Sequence, residues 1–288
     1  MPFEAWALAL GSAALFGLGL VVTQLGLRDM TPALGATFSM PTAALIFWAS
    51  APFLADFSGW DTDAALLFAA VGIFYPAMIT LLTFEANRLM GPYVSGAIGN
   101  LGPVFAVAAG LILLGEVLGV VQWIAVVAII AGVSSMSLRR TWQGGSWRRW
   151  MIALPLGAAL CRGLGPPVLK IGLGWWPNPF VAVLICYAVS ASVAISVGLW
   201  RTRGIERKVT RSGVFGFVCV GICNGFATLF WVLSLAIGPI SLTSPVVACY
   251  PVFALAFGAV LLRKTRIGAN QMVGVALTVT GVAVLTAV

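Results

Sequence analysis

The sequence predicts an all-α integral membrane protein, ten transmembrane helices forming two inverted five-helix repeats around a central cavity. Three observations predict it: a composition too apolar for water, an internal repeat covering nearly half the chain, and basic residues confined to alternate loops. Of 288 residues, 61% are hydrophobic and 8% charged, and mean hydropathy is +1.06. A water-soluble surface needs far more charge. In hydrocarbon only a helix pairs its own backbone donors and acceptors, and crossing takes about 20 mostly apolar residues.

The repeat is direct. Residues 157–173 lie without a gap over residues 11–27 with eight of seventeen positions identical, among them Gly11/Gly157, Gly17/Gly163, Gly19/Gly165 and Gly26/Gly172. The offset of 146 grows to 147 at Gly91-Pro92 against Gly238-Pro239, to 148 at the tetrapeptide PVFA (Pro103, Pro251), and to 149 at Gly132/Gly281. Five apolar spans fall in each copy, near 4–27, 32–54, 64–86, 92–114 and 118–138, then 150–173, 179–200, 213–234, 239–262 and 268–287. An odd number makes the second copy enter the membrane from the opposite side, an architecture typical of transporters. The predicted domains are a first repeat over 1–140, a basic linker over 141–149 and a second repeat over 150–288.

The first span is not a cleaved signal. Its start, Met-Pro-Phe-Glu, carries no basic side chain, its apolar run is too long, and it matches span six. It is expected to stay in the mature protein.

Charge sets the orientation. Fourteen of the sixteen basic residues sit in or beside odd-numbered loops: Arg28, Arg88, Arg139, Arg140, Arg148, Arg149, Arg201, Arg203, Arg207, Lys208, Arg211, Arg263, Lys264 and Arg266. The loop after span two instead carries Asp56, Asp61 and Asp63. The positive-inside rule makes the odd loops cytoplasmic and puts both termini on the non-cytoplasmic side of a bacterial inner membrane. This distribution, not nucleic-acid binding, accounts for the net charge of +8. The polar stretches are too short for soluble domains, and no GxxxxGK[ST] loop exists for ATP.

All five cysteines fall in apolar spans and there is no histidine. The cysteines read as small packing residues, and no metal or other cofactor is implied. Glycine and serine at four-residue spacing, as in Gly91/Ser95/Gly99, Gly115/Gly119 and Gly221/Gly225, let helices approach closely in lipid. Packing is their ordinary role; sliding between halves is the functional addition.

Prolines mark candidate helix breaks. Pro76 lies in span three, Pro103 in four, Pro166 and Pro167 in six, and Pro245 and Pro251 in nine. Each removes a donor and frees a carbonyl inside the membrane. The cluster Gly163, Gly165, Pro166 and Pro167 makes span six the chief candidate for a break with a gating role, alongside Pro76, Pro103 and Pro251.

Two cations remain inside spans. Arg162 sits about twelve residues into span six, where a charge costs on the order of 2.5–3.5 kcal/mol, so it should face a wet cavity and serve substrate or gating. A structural bond to freed carbonyls is the alternative. Lys170, two turns on, either lines the cavity or snorkels to the outer interface near Trp175 and Trp176. Glu85 is three residues from Arg88, an interfacial pair, and Glu116 meets the helix start of span five. Without histidine or a deep carboxylate, a proton-carrying site is not expected. A cationic pocket favours an anionic or zwitterionic solute.

Uncharged polar and aromatic groups complete the candidate pocket: Gln24, Tyr75, Thr80, Asn100, Asn224 and Tyr250, with Trp231 either interfacial or at the outer gate. For the amides, helix-to-helix bonding is the structural alternative. Tyr75 and Tyr250 each precede a proline, where a ring can stack on an apolar solute.

The run from Pro103 to Gly132, PVFAVAAGLILLGEVLGVVQWIAVVAIIAG, resembles the closing signature of an EamA-type repeat of the drug/metabolite transporter superfamily. Its marks are the proline, Leu114-Gly115-Glu116, Gln122 and Gly132; the second copy keeps Pro251, Gly258, Gln271 and Gly281 but has Arg263-Lys264 for Gly-Glu. That departure suggests a structural role for Glu116. Two such repeats cover the chain. Within the superfamily it most resembles YddG-type exporters of aromatic and other amino acids, which implies a cavity lined by spans one to four and six to nine, with five and ten peripheral.

The resulting expectation is an exporter of amino acids or similar small amphipathic metabolites, working by alternating access without ATP, as a monomer whose partners are its substrate and membrane lipid. A nucleotide-sugar or sugar-phosphate exchanger, or a drug efflux carrier, of the same superfamily is the alternative. An intramembrane enzyme would need a nucleophile with its base or a metal site, and neither pattern is present; a structural subunit is the other remote reading.

Overall fold

In the computed structural model, residues 2–90, 95, 98–137, 149–201, 209–262 and 269–287 are described, and those residues form helices joined by turns. Nine of the fourteen loop cations, all but Arg149 of the linker, and Gly91 lie outside the described residues, as does the side chain of Arg88. Seven helical spans are long and apolar enough to cross a membrane. They are α1 (Phe3–Gly26), α2 (Pro32–Leu54), a broken span running through α3 (Thr62–Gly72), a wide turn (Ile73–Met78) and α4 (Ile79–Met90), then α7 (Ala153–Trp175), α8 (Pro179–Arg201), α9 (Arg211–Ile237), and a second broken span of α10 (Ile240–Val247) and α11 (Tyr250–Leu262). Three shorter apolar helices, α5 (Gly102–Leu113), α6 (Val120–Ser137) and α12 (Ala269–Ala287), occupy the three other predicted span regions. At 1.5 Å per residue, α1 is about 36 Å long, enough for a hydrocarbon core of about 30 Å.

Local sequence explains the ends. Asp61 caps α3, its Oδ1 accepting from Ala64 N at 2.8 Å, and Thr210 caps α9, its Oγ1 accepting from Gly213 N at 3.1 Å. Pro32 begins α2 at a position where the missing N–H is no loss. Phe53, Ile112, Val117 and Phe215 remain exposed, as an outer face solvated by acyl chains allows.

Helices pack by repeat-equivalent contacts. α1 packs on α9 and α11, whereas its counterpart α7 packs on the α3/α4 span and on α5. α2 pairs with its own counterpart α8, α6 with α12, and α5 with α10. Spans one, two, eight and nine therefore form one bundle and six, seven, three and four the other, so each bundle mixes the repeats.

The equivalence reaches single atoms. A Cβ on Gly17 would lie 2.8 Å from Tyr250 O and Ala254 N and 2.7 Å from Phe253 Cβ. One on Gly163 would lie 2.8 Å from Gly102 O, 2.9 Å from Ala106 N and 2.3 Å from Phe105 Cβ, the same three positions 148 residues earlier. Gly132 meets Gly274 O and Thr278, while Gly281 meets Ala125 O and Ile129. Numbers rise along α6 as they fall along α12, so these helices are antiparallel. α2 and α8 are antiparallel too: Thr37 touches Gly198, and Phe47 touches Phe180 and Tyr187.

Prolines break spans three, four and nine, but neither span two, where α2 runs through Pro41 and Pro52, nor span six. Pro103 and Pro251 follow equivalent two-residue turns, Asn100-Leu101 and Ala248-Cys249, with matching bonds: Leu101 N to Ile98 O at 3.1 Å, Cys249 N to Val246 O at 3.0 Å. In the third span Tyr75 is extended (φ −127°, ψ 123°) before Pro76. The break predicted in span six is absent: α7 runs unbroken through Gly163, Gly165, Pro166 and Pro167, all buried. There the prolines withdraw donors only from the carbonyls of Arg162 and Gly163, and Gly163 packs closely on α5.

Candidate functional site: a central cavity

The third span's break is stabilised from α8. Pro76 has no N–H for Gly72 O, its helical partner four residues back. The hydroxyl of Ser190 takes that role, donating to Gly72 O and lying 3.2 Å from Tyr75 O. The turn is thereby held open, and Tyr75 and Pro76 face the middle of the molecule.

There they line a cavity of about 260 Å³. Its wall takes Phe16, Gly19, Leu20 and Thr23 from α1, Tyr75, Pro76, Ile79 and Thr80 from the third span, Gly99, Asn100, Gly102, Pro103 and Ala106 from the fourth, Arg162 and Pro166 from α7, Asn224 and Trp231 from α9, and Ser244, Val247, Ala248 and Tyr250 from the ninth. A second cavity of about 200 Å³ shares Phe16, Thr23, Tyr75, Pro76, Thr80 and Asn224, and adds α2 and Tyr187 of α8. Together they match the size of small-molecule sites, roughly 300–1,000 Å³. Spans one to four and six to nine all contribute, and Val133 of α6 adds a wall residue from a span expected to be peripheral.

Six of the eight candidate substrate contacts line this space: Arg162, Tyr75, Asn100, Asn224, Tyr250 and Trp231. The stem of Arg162 lies over Gly102, where a Cβ would come within 3.1 Å of its Cδ. Among the described residues no carboxylate lines either cavity or pairs with the guanidinium. The rings of Tyr75 and Trp231 meet at 5.2 Å and 49°. The broken spans four and nine add the starts of α5 and α11, at Gly102-Pro103 and Tyr250, ends that carry partial positive charge. Such a site suits a negative or acceptor-rich group beside an apolar body. Of the candidate break residues, Pro76, Pro103 and Pro166 line the cavity; Gly163, Gly165, Pro167 and Pro251 stand behind the wall.

Two candidates lie elsewhere. Gln24 is exposed on α1 and lines neither cavity, although it stands one turn beyond Leu20, which does. Lys170 donates to Gly238 O at 2.6 Å and to Glu116 Oε1 at 3.4 Å. Glu116 in turn accepts from Ile240 N at 2.7 Å and Ser241 N at 2.8 Å. It thus caps α10 of the other repeat, not the start of the fifth span, because the α5–α6 turn packs over α10. Burial raises the Glu116 carboxyl, but hydrogen bonds from Ser241 and Ile240 and the Lys170 charge outweigh it and hold the pKa below the ordinary value.

Sequence reasoning missed Phe16, Gly102 and Ser244. The repeat offset was the available signal for the first two, since Phe16 is the counterpart of Arg162 and Gly102 of Tyr250. Ser244 had none, being one hydroxyl among many in apolar helices.

The model of the EamA-like transporter family matches residues 5–138 and again 149–287. No curated protein matches the chain. A solved structure titled only "Crystal structure of protein" matches with a TM-score of 0.80 at 18% identity, covering 100% of this chain and 98% of its own. At that identity the likeness speaks for the fold.

Proposed function

The chain belongs to the EamA-like transporter family, and we propose that it is an inner-membrane secondary transporter exporting amino acids, aromatic or neutral, or similar small amphipathic metabolites. It works by alternating access, without ATP, as a monomer. Its two repeats, 1–140 and 150–288, span the membrane ten times with inverted topology about the basic linker 141–149, and both termini are non-cytoplasmic. The antiparallel pairing of equivalent helices, α6 with α12 and α2 with α8, supports the inversion.

The observation that carries the substrate reading is the Arg162 guanidinium, which pairs with no carboxylate among the described residues, in a cavity with the Tyr75–Trp231 ring pair. A zwitterion with an apolar side chain matches both, its carboxylate on Arg162 and its body against the rings. A phosphorylated substrate asks for more positive charge. Lys170 is committed to Glu116 and Gly238, which removes the second cation on which the sugar-phosphate reading relied.

Export direction is supported by where the cavity extends. With the odd loops cytoplasmic, Thr23, Pro32, Thr80 and Phe217 lie toward the cytoplasmic ends of their helices. The opposite end is closed by Glu116 and Lys170, by Asn178 Nδ2 donating to Asp56 O at 2.8 Å, and by Trp60 against Trp176. The test is uptake and counterflow in liposomes containing the purified chain. Amino acids should move down their gradient, and Arg162→Ala should slow them at least tenfold; unchanged flux in that variant removes Arg162 from the site.

A further inference from the structure

Among the described residues, two buried polar atoms of the cavity wall have no partner. Trp231 Nε1 and Ser244 Oγ make no hydrogen bond, and their residues are 5% and 8% exposed. Both residues line the 260 Å³ cavity that also holds Arg162. An indole N–H can only donate, and a serine hydroxyl can donate.

The hydroxyls of Ser95 and Ser241 are buried without a partner as well, but of the three serines only Ser244 lines a cavity. Hydroxyls in these helices usually turn back to the carbonyl four residues earlier, as in Thr23 to Gly19 O at 2.7 Å, Thr80 to Pro76 O at 2.8 Å and Thr278 to Gly274 O at 2.7 Å. Its neighbour Thr243 does so with Pro239 O at 3.0 Å. Ser244 has the same option in Ile240 O and leaves it unused. Buried donors without partners are costly, and in folded proteins nearly all are paired, so each such group calls for an explanation.

We propose that Trp231 Nε1 and Ser244 Oγ are specificity-determining contacts that donate to an oxygen acceptor on the transported solute. This rests on the transport reading above and adds to it a division of labour. Arg162 answers the solute's negative charge, whereas Trp231 and Ser244 answer the presence of an acceptor atom, charged or not. A solute lacking the acceptor leaves both donors unpaired in a dry wall and is rejected for that reason. The pair comes from spans eight and nine of the second repeat, so recognition of the acceptor is assigned to that repeat, while the Tyr75 ring of the first repeat packs on Trp231.

Three probes separate charge from acceptor while keeping ring and amine: phenylalanine, phenylalaninamide and phenethylamine. Binding of each to the detergent-purified full chain is read by thermal shift titration. The wild type should bind phenylalaninamide about tenfold more tightly than phenethylamine, the equivalent of one lost hydrogen bond. Ser244→Ala and Trp231→Phe should each collapse that ratio toward one and keep the preference for phenylalanine over its amide. Ligand-free melting should not fall in Ser244→Ala, since the hydroxyl has no structural partner to lose. An unchanged amide-to-amine ratio in Ser244→Ala overturns the inference, as does a drop in its ligand-free melting temperature. Should Trp231→Phe fail to fold, Ser244→Ala alone decides. A wild type that binds all three probes equally sinks the inference and leaves the transport reading standing; one that responds to none sinks both.

Discussion

Lys170 Nζ lies 3.4 Å from Glu116 Oε1, and through Glu116 it is tied to the first two amides of α10 in the same repeat as itself. Glu116 is the only first-repeat member of this cluster. Removing its carboxylate leaves two helix-start N–H groups and a half-buried ammonium without their acceptor. Glu116→Ala should therefore cost on the order of 1–3 kcal/mol, measured by denaturant unfolding in detergent. Lys170→Met, which keeps the stem and leaves Glu116 its two amide bonds, should cost less.

The same cluster gives a pH dependence of known sign. Because the folded pKa of Glu116 is depressed, the carboxylate contributes stability that is fully present above its ordinary value of 4.5 and is lost as pH falls through the folded value. Wild type and Glu116→Gln should differ in melting temperature at pH 7 and converge in acid. A constant gap from pH 7 to pH 3 would show that Glu116 acts by shape and not by charge.

Ser190 and Pro76 form a second testable unit. The Ser190 hydroxyl donates to Gly72 O, the carbonyl to which Pro76, four residues on, offers no N–H. Ser190→Ala should destabilise by about 1–3 kcal/mol in the wild type. In a Pro76→Ala background the new amide can take Gly72 O, and the Ser190→Ala cost should shrink. The double-mutant cycle measures that coupling, and additive effects would separate the two residues.

How much of this was readable from sequence follows from what each feature depends on. The repeat made the equivalence of Gly17 with Gly163 and of Pro103 with Pro251 visible, because both depend on local identity alone. The depth of Arg162 was countable along one span, so its place in a cavity was legible. The fates of Lys170 and Glu116 were not: they depend on the α5–α6 turn reaching α10, a contact 124 residues apart. Nor was the continuity of α7. Pro166 and Pro167 look like breakers locally, yet the helix runs on through them with Gly163 packed closely on Phe105 and Gly102. Gln24 shares a helix face with Leu20, so its exposed position outside both cavities is set by how α1 sits in the bundle and not by its spacing.

That packing supplies the last prediction. A methyl on Gly163 would sit 2.3 Å from Phe105 Cβ and 2.8 Å from the backbone oxygen of Gly102, neither of which is the flexible end of a side chain. α5 and α7 must then separate, at a cost of about 1–3 kcal/mol or more. Separation also moves Arg162 off Gly102, so Gly163→Ala should lower both melting temperature and transport. Gly17→Ala makes the equivalent clash with Tyr250 O and Ala254 N, and should lose similar stability. Gly174→Ala, with nothing within 4 Å of the added carbon on the same helix as Gly163, is the control. There the change should be neutral or stabilising by up to about 1 kcal/mol from helix propensity. Equal melting temperatures for Gly163→Ala and Gly174→Ala would mean that the α5–α7 crossing is looser than its close backbone approach requires.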